Sequence, residues 1–295
     1  MKSSLIMKVV VTIPAYNEEK TLPTVLEEIK KVLPKYNFEL LVLDDGSTDK
    51  TVEIAKKYGA LVVSNKRNLG LAETFKREMQ ECLKLNPDVI VHTDADGQYL
   101  SKHIPELIKK VEQGYDLVLG SRFQRGNYNG SLMKNIGNQA FAKVFTKLLK
   151  IRLTDTTTGF RAFNQEVAKL PLINNFTYTQ EQLIRAGKAG LSITEIPITT
   201  KKTRKSKLFK SSAHYAVKAW INILRIYRDY EPLNFFGKIG GTLFLAGFLL
   251  GVYILITLAL TSKVGGIPRV ILSAILMLTG IQIIVFGFLA DMRRS

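Results

Sequence analysis

A chain of 295 residues has room for one domain of ordinary size and a further module. Its 46% apolar and 23% charged residues exclude a disordered or fibrous protein, and a net charge of +17 makes it strongly basic. A single cysteine, Cys82, excludes a disulfide framework, and with three scattered histidines it excludes a Cys/His zinc site. Met1–Met7 carries no apolar run of signal-peptide length, so no secretory leader is expected.

From Lys8 onward, apolar runs of strand length alternate with amphipathic stretches of helical period. Lys8–Ile13 is β-branched and is predicted to end at Pro14. Thr21–Val32 reads as a helix with Leu22, Val25, Leu26, Ile29 and Val32 on one face. Phe38–Leu43 is a strand, Asp49–Tyr58 a helix, Ala60–Val63 a strand, Gly70–Leu85 a helix and Val89–Thr93 a strand. Helix Ile104–Glu112 and strand Leu117–Gly120 follow, then helices over Ser131–Leu149 and Thr177–Ala189 and a strand over Ile193–Ile198. Such alternation predicts an α/β sandwich with a mostly parallel sheet and crossover helices. Ligands bind beyond the carboxyl ends of such strands. Polar clusters follow Ile13, Leu43, Thr93 and Gly120, so four loops are expected to converge on one edge.

The remainder of the chain points to a membrane. Lys201–Lys210 is densely basic, and Leu208–Tyr230 reads as an amphipathic helix whose Tyr215, Trp220, Tyr227 and Tyr230 suit an interface. Ile239–Ser262 and Val270–Ala290 are uncharged, and each reaches the ~20 residues a helix needs to cross a bilayer. They are separated only by Lys263–Arg269, a tight turn holding Gly265, Gly266 and Pro268. Residues 1–204 are therefore read as a catalytic domain, 205–234 as a juxtamembrane amphipathic region, and 235–295 as a transmembrane hairpin with spans of about 239–262 and 268–290. Arg225, Arg228, Lys238, Arg293 and Arg294 flank the spans, against Lys263 and Arg269 in the turn, which places both ends in the cytoplasm. The basic run then fits anionic lipid or phosphate rather than nucleic acid. Gly240, Gly241, Gly247 and Gly251 permit close helix contact or a homo-oligomer.

Within the predicted sheet edge, Asp94-Ala-Asp-Gly-Gln98 offers two carboxylates and an amide oxygen just past a strand. These hard oxygen ligands suit Mg2+ or Mn2+ shared with substrate phosphates. Turn formation by Asp and Gly would explain the loop equally well. Pro14-Ala-Tyr-Asn-Glu18 adds a rigid turn, an aromatic face and a carboxylate, and Asp44-Asp-Gly-Ser-Thr-Asp49 adds acids able to accept from a base or ribose.

Together the three motifs, in this order, resemble the family 2 glycosyltransferases, inverting enzymes that use nucleotide sugars, over about residues 7–230. Gly120-Ser-Arg122, Asp155-Thr-Thr-Thr-Gly-Phe-Arg161 and the two C-terminal spans resemble the polyprenyl-phosphate branch, which includes the dolichol-phosphate mannose synthases. The resemblance implies a GT-A fold, with Pro14, Ala15, Tyr16, Glu18 and Asp45 around a UDP- or GDP-linked sugar. It implies Asp94, Asp96 and Gln98 around the metal and diphosphate, with Arg122 meeting the phosphate of a polyprenyl lipid. Lys134 and Asn138 stand where those synthases carry Arg and Ser. Thr203-Arg-Lys-Ser-Lys207 matches their D-R-x-x-G-x-S-K loop at Ser206 and Lys207 but lacks its Asp and Gly, which leaves Arg204 as its candidate cation beside Lys207.

Two alternatives stand beside a lipid-phosphate acceptor. A hydroxyl acceptor would require a general base, with Asp155 the candidate, although Asp155 could instead orient the Gly159–Arg161 turn. A binding-only membrane adaptor would need no intact acidic set. His92 is expected to be packed in its strand, His103 and His214 to lie at the surface, and Arg161 to be either functional or an ion-pair partner. Tyr178, Gln180 and Glu181 fit packing or sugar contact equally.

Overall fold

Runs of β-branched residues place β1 (Lys8–Ala15) at the heart of a sheet, parallel to β2 (Asn37–Asp44) on one side and β4 (Val89–His92) on the other. The computed structural model describes residues 7–124, 142–173, 178–201, 221, 224–225, 227–261 and 266–292. Outside β2 lies β3 (Leu61–Ser64), also parallel. Beyond β4 come β5 (Leu117–Ser121), β6 (Arg161–Phe163) and β7 (Ile193–Pro197), giving the order β3-β2-β1-β4-β6-β5-β7 among the described residues. The helices are α1 (Leu22–Val32), α2 (Thr51–Lys57), α3 (Leu71–Lys84), α4 (Ile104–Glu112), the single turn α5 (Gln165–Ala168) and α6 (Tyr178–Lys188). Residues 142–149 are helical as well. Helix α1 buries Leu22, Val25, Leu26 and Ile29, the stripe its period demands.

Two departures from the expected elements bear on function. Strand β1 does not end at Pro14 but runs on to Ala15. Its pairing with β4 stops at Thr12↔His92, so the missing proline N–H falls where only β2 lies alongside. Strand β6 has no alternating pattern and is too short for periodicity to reveal. It runs antiparallel between β4 and β5, with His92↔Arg161↔Leu119 in register. Because β6 is reversed, the chain preceding it, residues 154–160, arrives at the edge where β1, β2, β4 and β5 end.

The contacts divide the chain into two compact units, Met1–Ala216 and Val217–Ser295. The second holds α7 (Pro232–Thr261) and α8 (Ile267–Met292), both long and apolar enough to cross a membrane. At 1.5 Å per residue they are about 45 and 39 Å long, against ~30 Å of hydrocarbon. Their outer faces expose Leu249, Leu255, Leu260 and Phe286, an apolar surface of the kind that lipid or another protein covers. Helix α7 begins seven residues before the predicted span, at Pro232, a residue suited to a first helical turn. Gly240 and Gly247 face Gly280 and Ser273 at seven-residue spacing. A Cβ on Gly280 would stand 2.6 Å from the Gly240 carbonyl oxygen, and Ser273 Oγ donates to the Gly247 carbonyl at 2.7 Å. The small residues thus serve close packing inside the hairpin.

Candidate active site

One side of the edge is built from the loops after β1 and β2, which are laced by short polar bonds. Asn17, at φ +53, donates its N–H to Ser47 Oγ (2.9 Å) and accepts from the Thr48 N–H (2.8 Å). The Glu18 N–H reaches Thr51 Oγ1 at 2.9 Å, and Asp44 Oδ1 accepts from the Ser47 N–H at 2.9 Å. Gly46 is indispensable here: it has φ +76, and a Cβ would lie 2.7 Å from the Arg67 carbonyl carbon. Tyr16 presents an exposed ring at this rim, while Ala15 and Glu18 are buried. Asp45 is also buried. Its Oδ1 accepts from Asn65 Nδ2 and the Leu69 N–H, and its Oδ2 from the Gly70 N–H, all at 2.8–2.9 Å. Its visible task is therefore to shape the 65–70 loop ahead of α3.

Past β4, Asp96 Oδ1 caps its own turn by accepting from the Gln98 N–H at 2.9 Å, with Gly97 at φ +69. The Gln98 carbonyl accepts from the Lys201 N–H, tying this loop to the end of β7. The Asp94 side chain keeps 32% of its surface accessible. The packed wall behind it is nevertheless enough that desolvation pushes its carboxyl up to about 6; Asp96 and Glu78 add to the rise, and His92 and Arg122 oppose it. Two like-charged carboxylates at one loop fit a divalent cation, which would relieve their repulsion. Among the described residues no cluster of three or more His, Cys, Asp or Glu surrounds the spot.

On the other side, Arg122 is gripped by Asp155: Nε to Oδ2 at 2.7 Å and Nη2 to Oδ1 at 2.9 Å, with Nη2 also on Thr157 Oγ1 at 2.8 Å. The Asp155 side chain is fully buried and that of Arg122 nearly so. Behind them Glu195 on β7 accepts from the N–H groups of both Thr154 and Asp155 at 2.9–3.0 Å. Both oxygens of Asp155 are therefore engaged, by Arg122 and by Thr157. The two sides meet where Gly159 packs on Asp94: a Cβ there would lie 3.4 Å from Asp94 Oδ1, and the Gly159 N–H donates to Tyr99 OH.

Several other readings are settled or revised. Arg161 is fully buried, and among the described residues its bonds go to the carbonyls of Thr158 and Thr179 and to Gln182 Oε1, none to a carboxylate. Burial pulls its pKa down to about 10. His92 is packed, as expected. His103 is not at the surface: it is buried, and its Nε2 accepts from the Thr199 N–H at 3.2 Å because the chain after β7 folds over it. Glu181 is structural, accepting from the Ile173 N–H and from Arg185 Nε. Tyr178 packs on Phe75 with ring centres 4.6 Å apart, and burial followed by the nearby Asp94 charge raises its phenol well above the usual range. Lys134, Asn138, Arg204, Ser206, Lys207, His214, Tyr215 and Trp220, with most of the basic run and of the amphipathic helix, lie outside the described residues. Glu195, Thr154, Tyr99 and Glu78 escaped the sequence reading because each acts on a residue from 14 to 60 positions away.

This sheet order, with acidic loops gathered on one edge, defines a GT-A-like nucleotide-sugar fold. The glycosyl transferase family 2 model matches residues 10–170, and the chain belongs to that family of glycosyltransferases. The dolichyl-phosphate hexose transferase of Haloferax volcanii is 34% identical over 192 residues, spanning 64% of this chain and 80% of the relative. The dolichol-phosphate mannosyltransferase of Pyrococcus furiosus is 30% identical over 281 residues, spanning 90% and 78%. Among solved structures, glucosyl-3-phosphoglycerate synthase from Mycobacterium tuberculosis, in complex with Mn2+, UDP and phosphoglyceric acid, superposes with a TM-score of 0.58 at 22% identity, covering 74% of this chain and 78% of that one. That likeness is one of fold.

Proposed function

We propose that this chain moves a sugar, with inversion, from a nucleotide-diphosphate sugar to a polyprenyl phosphate, dolichyl or undecaprenyl, at the cytoplasmic face of a membrane. The observation that carries the choice of a phosphate acceptor is the Asp155–Arg122 pair. Attack by a hydroxyl needs a base, and the candidate base has both oxygens engaged by a guanidinium and Thr157. A lipid phosphate is already ionised at pH 7 and needs cations instead. Arg122, aimed by Asp155 at the same edge as Asp94, is such a cation. The names of the archaeal relatives agree, and α7 and α8 provide the means of staying beside a lipid substrate.

In this reading Pro14, Ala15, Tyr16 and Glu18 frame the nucleotide, and Asp45 holds the 65–70 loop against it. Asp94, Asp96 and Gln98 would hold Mg2+ or Mn2+, which when bound neutralises charge building on the leaving diphosphate. A phosphate oxygen of the lipid bonds to the anomeric carbon as the bond from that carbon to the diphosphate oxygen breaks, and the nucleoside diphosphate leaves with the electron pair. Lys134, Asn138, Arg204 and Lys207 belong to the acceptor phosphate in the same reading. In the same reading residues 1–204 and both chain ends are cytoplasmic, which the basic flanks of the hairpin support.

The test uses full-length protein in detergent with Mn2+, a short polyprenyl phosphate and labelled UDP- and GDP-sugars. An organic-extractable, mild-acid-labile lipid product, lost in Asp96→Ala, is the expected result. Release of free sugar without lipid labelling would sink the acceptor assignment and leave the donor site standing.

A further inference from the structure

Behind the acidic loop lies a buried polar layer that the reaction as described does not use. Thr12, His92 and Arg161 are in register on β1, β4 and β6, one rung short of the sheet edge. From α3, Glu78 descends onto this rung, and Glu78 Oε1 lies 2.5 Å from His92 Nδ1, with both side chains fully buried. Phe75 closes the ring's edge at 5.0 Å in a T-shaped contact. An acid and an imidazole in a packed α/β core cost free energy unless something compensates them. Neither is needed to fill space that Leu or Phe could fill.

The other ring nitrogen shows what they serve. His92 Nε2 is buried and has no hydrogen-bond partner among the described residues, and it lies 3.9 Å from Asp94 Oδ1. The alternation of an extended chain puts residues 92 and 94 on the same side, so the ring sits directly beneath the carboxylate. A small rotation of the Asp94 side chain brings its oxygen within reach of Nε2. With Glu78 Oε1 on Nδ1, Nε2 is the ring atom left to face Asp94.

We propose that His92, anchored by Glu78, is a positioning residue for Asp94: it orients that carboxylate for a divalent cation without touching the cation itself. This rests on the assignment of Asp94 to metal binding above. Carboxylates that ligate metals are themselves held by hydrogen bonds, and loss of such an outer partner weakens metal binding by ~10–100-fold.

The experiment is a titration of full-length protein in detergent with Mn2+, followed by electron paramagnetic resonance, with UDP or GDP present and nucleotide alone as the blank. No turnover is involved. His92→Phe keeps the ring volume against Phe75 and removes both nitrogens, and its Mn2+ dissociation constant is expected to rise at least ~10-fold. His92→Gln returns an N–H near the Nε2 position and is expected to recover most of that loss. A purely structural histidine would lower the melting temperature in both variants and leave Mn2+ affinity alone. Should His92→Phe fail to fold, Glu78→Gln, which is isosteric, carries the test, with an expected weakening of about tenfold, the low end of that range. Unchanged Mn2+ affinity in a folded His92→Phe or Glu78→Gln, or a His92→Gln as impaired as His92→Phe, overturns the inference while leaving the metal site intact. If the wild-type protein binds no Mn2+ with either nucleotide, the metal assignment of Asp94 falls and the inference falls with it.

Discussion

The two halves of this site are assembled on different principles. On the proposed donor side, the loops after β1, β2 and β4 each carry their candidate residues in one contiguous stretch, and their mutual bonds are mostly backbone N–H groups meeting side-chain oxygens. On the proposed acceptor side, the candidate cation is fixed by buried carboxylates: Arg122 by Asp155, whose own N–H is held by Glu195. The donor half is held by many modest bonds, so one loss should be local. The acceptor half hangs on one buried ion pair, so one loss should propagate into stability.

That contrast can be broken most directly at Asp96. Asp96→Ala is expected to lower turnover by on the order of 10²–10³-fold, the scale of removing a group that stabilises developing charge. Its melting temperature should stay close to wild type, because its side chain caps a short local turn. A large drop in melting temperature would mean that the donor loops are as interdependent as the acceptor ones. Asp155→Ala should behave in the opposite way. It strands a nearly buried guanidinium, so denaturant unfolding should show a loss of about 3 kcal/mol. The KM for the lipid acceptor should rise more than that for the nucleotide sugar, and an equal rise in both would contradict the division of labour.

Acidity sharpens the comparison further. Asp94 has its carboxyl raised to about 6, so it is a carboxylate above that pH and takes a proton below it. A cation competes with that proton. The Mn2+ concentration for half-maximal activity should therefore rise as pH falls, by about tenfold between pH 7 and pH 5. A flat metal requirement across that window would remove Asp94 from the metal site. The smallest expected effect is at Asp45, where Asp45→Asn turns an amide NH2 toward backbone N–H groups that need an acceptor. The KM for the donor sugar should rise roughly fivefold, or about 1 kcal/mol, with the lipid KM unchanged.

The same division explains what could be read in advance. The motif loops were legible because a turn chemistry of Pro, Gly, Asn and Asp leaves a local trace, and because strand runs such as Val9–Ile13 and Val89–Val91 show their burial in composition alone. Strand β6 was not legible: three residues, one of them Arg161, give no periodicity, and only its neighbours reveal it as a strand. Asp155 stood open as a base because a lone acid in a turn looks the same whether it faces solvent or a guanidinium. His103 looked like a surface residue because the segment that covers it lies nearly a hundred residues later.

By itself, the sequence determined an α/β sandwich with acidic loops at strand ends and a pair of apolar helices, since hydrophobic period and turn residues act over a few positions and need no partner to be recognised. The tertiary structure decided which acid and which arginine are paired, and that Gly240 packs against Gly280 and Gly247 against Ser273 within one chain. Those outcomes depend on pairings across tens of residues and on desolvation at the point of contact. Both exist only once the reversed strand β6 has brought residues 154–160 to the same edge as Asp94.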